Sequence, residues 1–201
     1  MSIAALVTPR LRLRALRPAD EASFCRLYGD AETMKFIAPP LSRHAAARAF
    51  QATLDSMRER ALPLFLVIQE KGRRHPVGFC GIQVPDPRMR GAEIGIVLAP
   101  VAWRKGYGRE VLGALVDLAF ASLPIDCVWV QYRAVNSAAA RLLAGAGFSP
   151  TVVRPHRTSK TQDIRALQRN AYRKSNEEGK LPCRTSSVFL KQSDVTQLCV
   201  T

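Results

Sequence analysis

No stretch of the sequence stays apolar for the roughly 18 residues that a membrane-spanning helix needs. The first ten residues, MSIAALVTPR, put no cation ahead of their short apolar patch, as a secretory leader would. The expectation is a cytoplasmic protein with no membrane partner. Cysteine is sparse: Cys25, Cys80, Cys127, Cys183 and Cys199 are odd in number, far apart and without a C-x-x-C pair, which argues against a disulfide framework or a zinc knuckle. His44, His75 and His156 have no ligand spacing among them, so no metal site is expected, and no Ser/His/Asp or Cys/His pairing suggests a nucleophile. Carboxylates are few, 16 against 30 Lys plus Arg, for a net charge of +14. That excess favours anionic partners such as nucleotides, phosphorylated cofactors, RNA or acidic proteins. The cations are scattered and largely Arg, with no basic block interleaved with aromatics, so nothing points to DNA.

What is present is a chain of 201 residues, 47% apolar, long enough for one domain with a sizeable core. Leu and Arg alternate over Thr8 to Leu16, the period of a strand with one buried face. Pro18 opens a helical segment through Tyr28, and a polar, proline-punctuated loop, GDAETMKFIAPP, leads to a helix from the N-cap candidate Ser42 to Arg58. Three strands in hairpin style follow at Leu64 to Gln69, Val77 to Val84 and Ala92 to Ala99. A helical stripe, Val111 to Phe120, ends before Pro124; then come a strand at Cys127 to Tyr132, a helix at Ser137 to Ala144, and strands at Phe148 to Val153 and Asp163 to Gln168. This order predicts a mixed α/β (α+β) domain over residues 1–173, with about seven mostly antiparallel strands and helices on both faces. Residues 174–201 lose periodicity and read as a tail of unknown role, with one short element at Ser187 to Leu190. Almost all the excess positive charge lies before Lys174.

The segment WRKGYGREVL, Trp103 to Leu112, places two glycines and several cations at the approach to a helix. The first backbone N–H groups of a helix have no intrahelical partner and lie at the positive end of its dipole, which suits a phosphate or pyrophosphate. Gly106 and Gly108 let an anion approach the amides of Lys105, Tyr107 and Arg109, while Arg104, Lys105 and Arg109 neutralise it; an ordinary glycine-rich turn into a helix has the same sequence signature. A Walker loop is missing, and GYGREV lacks the third glycine of a dinucleotide fingerprint and follows an antiparallel strand.

In context, AEIGIVLAPVAWRKGYGREVLGAL resembles the cofactor motif of the GNAT superfamily of acyl-coenzyme A N-acyltransferases, where a strand runs into [RQ]-x-x-G-x-[GA] at a helix start. Trp103 replaces the Arg or Gln, as in the W-G-K-G-Y-A-x-E type of sequence found in members acting on ribosomal-protein and other N-terminal amines. NSAAARLLAGAGF, Asn136 to Phe148, is similar to the superfamily's second motif, an asparagine opening a helix that closes on Gly-Phe. RLRLRALRPAD looks like the opening strand of the ribosomal-protein N-terminal (alanine) acetyltransferase branch. The resemblance covers roughly residues 8 to 173. It implies a sheet whose fourth and fifth strands splay apart to take acetyl-coenzyme A as co-substrate, with the pantetheine arm on the fourth strand, Glu93 to Ala99. It further implies that Leu98 flanks the thioester, that the pyrophosphate lies on the amides of Arg104 to Arg109, and that Asn136 contacts the cofactor or fixes the fifth-strand end. Asn136 also reads as a plain N-cap for Ser137 onward.

Acyl transfer needs a neutral amine. At pH 7 deprotonation costs about 4.6 kcal/mol for a lysine ε-amine and about 1 kcal/mol for an α-amine. By the resemblance Glu93 is the candidate base or water-relay carboxylate, with a solvent-facing strand charge as its plain alternative. A strand-four backbone N–H, placed at Leu98, would polarise the carbonyl. The tyrosine that many members use to protonate the departing thiolate is Leu143 here, leaving Ser137, Tyr107 or Tyr132 to assist. The leading expectation is direct acetyl transfer to a protein N-terminal α-amine, of a ribosomal protein for example. The alternatives are an aminoglycoside, polyamine or other small amine as acceptor, and a non-catalytic basic ribosome- or RNA-associated module. The sequence leaves monomer or dimer open.

Overall fold

A computed structural model of the chain describes residues 5–59, 62–85, 90–151 and 162–177. It opens with strands β1 (Leu6–Val7) and β2 (Leu11–Ala15), then helices α1 (Glu21–Gly29), α2 (Ala31–Met34) and α3 (Arg43–Glu59). Strands β3 (Leu64–Glu70), β4 (Pro76–Gln83) and β5 (Gly91–Leu98) lead to α4 (Tyr107–Ser122). The chain continues through β6 (Cys127–Arg133), α5 (Ser137–Gly145), β7 (Ser149–Pro150), β8 (Gln162–Gln168) and α6 (Arg169–Glu177). Among the described residues eight strands form one sheet in the order β1-β2-β3-β4-β5-β6-β8-β7.

Alternation explains how one sheet serves two layers. Leu64, Leu66 and Ile68 of β3 join Leu11 and Leu13 of β2 in the core under α4, while Val67 and Phe79 point the other way, against Phe24, Leu27, Phe50 and Leu54 of α1 and α3. Leu11 and Leu13 are fully buried and the arginines between and after them are not, as the Leu/Arg alternation requires. Arg14 then forks both nitrogens onto buried Asp20 at 2.7 Å, so the L-R…D spacing of the opening strand is a bidentate ion pair that fixes the entrance to α1.

Four elements differ from the expectation, one of them the strand expected at Phe148 to Val153, which is the two-residue β7, with residues 152 and 153 outside the described residues. The strand expected at Thr8 to Leu16 starts only at Leu11, with the unexpected β1 ahead of it, because Pro9 has no N–H to give to a ladder and Thr8 closes a turn in which its hydroxyl accepts from Leu11 N–H at 3.0 Å. Within the loop after α1, Asp30 caps the short α2 by accepting from Thr33 N–H at 2.8 Å. Beyond β8 the helix α6 runs through residue 173, where periodicity fades; Arg169 anchors its start by donating to the carbonyls of Phe120, Leu123 and Ile125 around the end of α4. The element expected at Ser187 to Leu190 lies outside the described residues.

The feature that positions a site is the one parallel pairing among the described residues. β5 pairs with β6 only over Gly91–Glu93, opposite Cys127–Trp129. Past that point β6 continues on β8 and β5 continues on β4, so the two strands part and leave a gap at their carboxyl ends. These are the fourth and fifth strands of the sequence reading, and they splay as that reading expects.

Candidate active site

The gap has a backbone wall. Ala99 donates to Val77 across β4 and β5, so Val97, Gly95 and Glu93 also direct their backbone groups to β4. Ile96 and Leu98 therefore turn theirs the opposite way, into the gap, where β6 no longer pairs. The Leu98 carbonyl is taken: Trp103 Nε1 donates to it at 2.7 Å, tying the end of β5 to the loop before α4. Gly108 sits beside both the Leu98 and the Leu142 side chains: a Cβ there would stand 3.8 Å from Leu98 and 3.3 Å from Leu142. Glycine at 108 keeps this junction of β5, α4 and α5 open.

The loop Trp103 to Gly106 has an unusual shape. Arg104 and Gly106 both have left-handed backbones, φ +59° and +78°. Gly106 is the N-cap of α4 and, being glycine, brings no side-chain cap, so among the described residues the first-turn amides of Tyr107, Gly108 and Arg109 are left for an outside acceptor. Arg104, Lys105 and Arg109 are exposed around them. Arg109 donates to the Gly145 carbonyl at the end of α5 at 2.8 Å, and the Lys105 ammonium lies 5.9 Å over the Tyr107 ring. Tyr107 itself is buried, and its hydroxyl donates to Glu70 at 2.8 Å. That bond turns the phenol away from the gap, so Tyr107 offers an anion its amide only.

On the opposite face of the sheet Glu93 lines a cleft of about 120 Å³ with Tyr28, Phe65, Phe79, Gln83 and Gly95 among its walls. Gln83 Nε2 donates to the Glu93 carboxylate at 2.9 Å and orients it. A Cβ on Gly95 would touch nothing within 4 Å, so the floor beside Glu93 is open, whereas the room beside Gly91 is filled by the Trp129 ring. Burial, with Cys80 nearby, pushes the Tyr28 phenol up to about 12, which keeps it neutral at physiological pH. Trp129, the parallel register partner of Glu93, is buried, and its Nε1 has no hydrogen-bond partner among the described residues.

Glu93 and Leu98 do not converge. They lie on opposite faces of β5, and five residues of strand separate them by about 17 Å, too far to attend one reacting carbon. Ile96, about 10 Å along, is the nearer residue whose N–H enters the gap, and sequence alone gave it no distinction because strand polarity is set by the partner strand. Asn136 is the N-cap of α5, accepting from Ala139 N–H at 3.0 Å. Leu143, at the vacant tyrosine position, is core. Of the groups suggested to assist the thiolate, Tyr107 donates to Glu70, the Tyr132 hydroxyl accepts from Arg165 at 3.0 Å, and Ser137 is exposed at the start of α5. His44 and His75 are exposed, His156 lies outside the described residues, and no metal-ligating cluster occurs among the described residues. No helix there is long and apolar enough to cross a membrane.

Among the described residues the sheet parts at one parallel junction, beside a helix start ringed by cations. The acetyltransferase (GNAT) domain profile matches residues 10–149, and the chain belongs to that family. It is 28% identical over 146 residues to the uncharacterized N-acetyltransferase p20 of Bacillus licheniformis, covering 71% of this chain and 81% of that one. RimL, a ribosomal L7/L12 α-N-protein acetyltransferase solved in complex with coenzyme A, has the same fold at TM-score 0.69 and 16% identity, over 84% of this chain and 99% of its own. The spermidine N-acetyltransferase of Vibrio cholerae, solved with coenzyme A and spermine, does so at TM-score 0.66 and 19% identity, over 81% and 98%. Acetyl-coenzyme A is thus the acyl donor, and the residues present fit it: helix-start amides without a partner among the described residues for phosphates, the outward N–H and carbonyl of Ile96 and the N–H of Leu98 for an amide-bearing arm, and a glycine where a side chain would narrow the passage.

Proposed function

We propose that the protein transfers an acetyl group from acetyl-coenzyme A directly to a protein N-terminal α-amine. The observation that carries this reading is the cleft at Glu93: among the described residues lining it, Glu93 is the only charged side chain, and the rest of the wall is largely apolar and aromatic. A polyamine, with several ammonium groups to neutralise, is matched by several carboxylates; one α-amine on a short apolar segment is matched by one.

The donor supplies an activated acetyl thioester. In the same proposal the amides of Gly106, Tyr107, Gly108 and Arg109 hold the pyrophosphate, with Arg104 and Lys105 adding charge. The N–H and carbonyl of Ile96 and the N–H of Leu98 orient the arm, and the Leu98 and Leu142 side chains flank it. Ile96 N–H is the donor closest to the reacting carbonyl oxygen, which moves that role from Leu98. Glu93, steadied by Gln83, accepts the amine proton directly or through one water. Asn136 fixes the start of α5 and so the far wall of the gap.

The test is thiol release with acetyl-coenzyme A and a panel of N-terminal peptides, spermidine and an aminoglycoside. Peptides are expected to exceed spermidine in kcat/KM by at least about tenfold, with Glu93→Gln lowering kcat about 100-fold at unchanged donor affinity. Faster turnover of spermidine would overturn the acceptor assignment.

A further inference from the structure

Thr8-Pro9-Arg10, at the head of the sheet, reaches the loop before α4 across about a hundred residues of chain. We propose that Thr8, Arg10 and Glu110 are positioning residues for the phosphate-binding amides, a role that rests on the donor placement proposed above. Glu110, in the first turn of α4, is 6% exposed. Its Oε1 accepts from the Thr8 hydroxyl and from Arg10 N–H at 2.8 Å; its Oε2 accepts from Arg10 Nε at 2.8 Å and pairs with Nη2 at 2.8 Å. The third guanidinium nitrogen, Nη1, donates to the Lys105 carbonyl at 2.7 Å. One planar side chain thus grips the helix and the loop ahead of it, stacked 4.8 Å over the Tyr107 ring.

The consequence follows from the planarity of the peptide bond. The Lys105 carbonyl and the Gly106 N–H belong to one rigid unit and point in opposite directions. By drawing the carbonyl toward itself, Arg10 turns the Gly106 N–H outward, between the left-handed residues 104 and 106. The same guanidinium lies 3.2 Å from where a Gly106 Cβ would be, so it also packs against the back of the loop. Arg10 is in turn immobilised, because its carbonyl accepts from Lys71 N–H at 2.9 Å and the Pro9 carbonyl accepts from Lys71 Nζ at 3.1 Å. The β1-β2 turn is a buttress for the loop, and its residues act through the loop's amides.

Arg10→Met, Arg10→Lys, Thr8→Val and Thr8→Ser separate this from a merely structural role. Arg10→Met is expected to raise Kd and KM for acetyl-coenzyme A about tenfold with kcat within about twofold, while an amide-exchange measurement without cofactor shows faster exchange at Gly106 and Tyr107. Arg10→Lys, a single ammonium unable to fork between Glu110 and Lys105, recovers only part of the affinity. Thr8→Ser, which keeps the hydroxyl, behaves as wild type, and Thr8→Val falls between. Unchanged donor affinity in folded Arg10→Met, or in Arg10→Lys where Arg10→Met fails to fold, overturns the proposal, as does unchanged exchange at Gly106. Failure of the wild type itself to bind acetyl-coenzyme A would instead sink the donor placement, and the exchange comparison would still decide whether Arg10 orders the loop.

Discussion

Replacing Arg104 by glycine is expected to stabilise the protein and weaken its hold on the donor at the same time. A non-glycine residue in the left-handed region costs roughly 1–2 kcal/mol, and Arg104 sits there at φ +59°. Glycine removes that strain but loosens the unfolded chain, which returns about 0.5–1 kcal/mol. The net gain is about 0.5–1 kcal/mol, or roughly 2 °C in Tm for a chain of this size. The guanidinium is exposed, so its attraction for a phosphate is that of a surface pair, and its loss raises Kd for acetyl-coenzyme A roughly two- to fivefold at low salt. Arg104→Ala is the control, because it loses the charge and keeps the strained backbone. Calorimetric melting without cofactor should rank Arg104→Gly above both wild type and Arg104→Ala, and titration at low salt should rank both variants below wild type, with the gap closing at high salt. A glycine variant that melts no higher than the alanine variant refutes the strain argument, and one that binds the donor as wild type does refutes the charge assignment.

The Glu110 cluster predicts a pH signature. Burial is the largest influence on this carboxyl and acts to raise its pKa, but the hydrogen bonds from Thr8 and Arg10 and the charge of Arg10 outweigh it and hold it below the usual range. Its folded pKa therefore lies below the unfolded value of about 4.3, so its contribution is complete above that value and is lost as pH falls through the folded one. Glu110→Gln should be less stable by about 2 kcal/mol at pH 7, and urea midpoints should draw together below about pH 4; a difference independent of pH contradicts the clamp. At the cleft, Gly95→Val places its side chain in open space beside Glu93. It should raise KM for the acceptor severalfold while leaving donor Kd unchanged and stability equal or slightly higher; an unchanged acceptor KM would move the acceptor elsewhere.

Much of this architecture is local and so was legible in the sequence. Leu11 and Leu13 alternate into the core, Ser42 Oγ accepts from Ala45 N–H at the start of α3, and Asn136 caps α5, all written in residues a few positions apart. The parted strands followed from a family likeness in two motifs, and the pairing of β5 with β6 shows the same break. What stayed hidden depends on distant partners. Nothing near Thr8 announces Glu110, nothing in AEIGIVL says which alternate amides face the gap, and α6 has too few apolar residues for a stripe because Arg169 and Tyr172 do its anchoring. Placing Leu98 with Glu93 treated the strand as a point; its rise per residue separates them.

The central claim is that the donor lies where β5 leaves β6, with its phosphates on the first turn of α4. Backbone amide shifts recorded during titration with acetyl-coenzyme A test it most directly. The amides of Ile96, Leu98, Gly106, Tyr107, Gly108 and Arg109 should move together and saturate at one Kd while those in the middle of β2 and β3 stay still. Saturable binding that leaves these six amides unmoved would contradict the account.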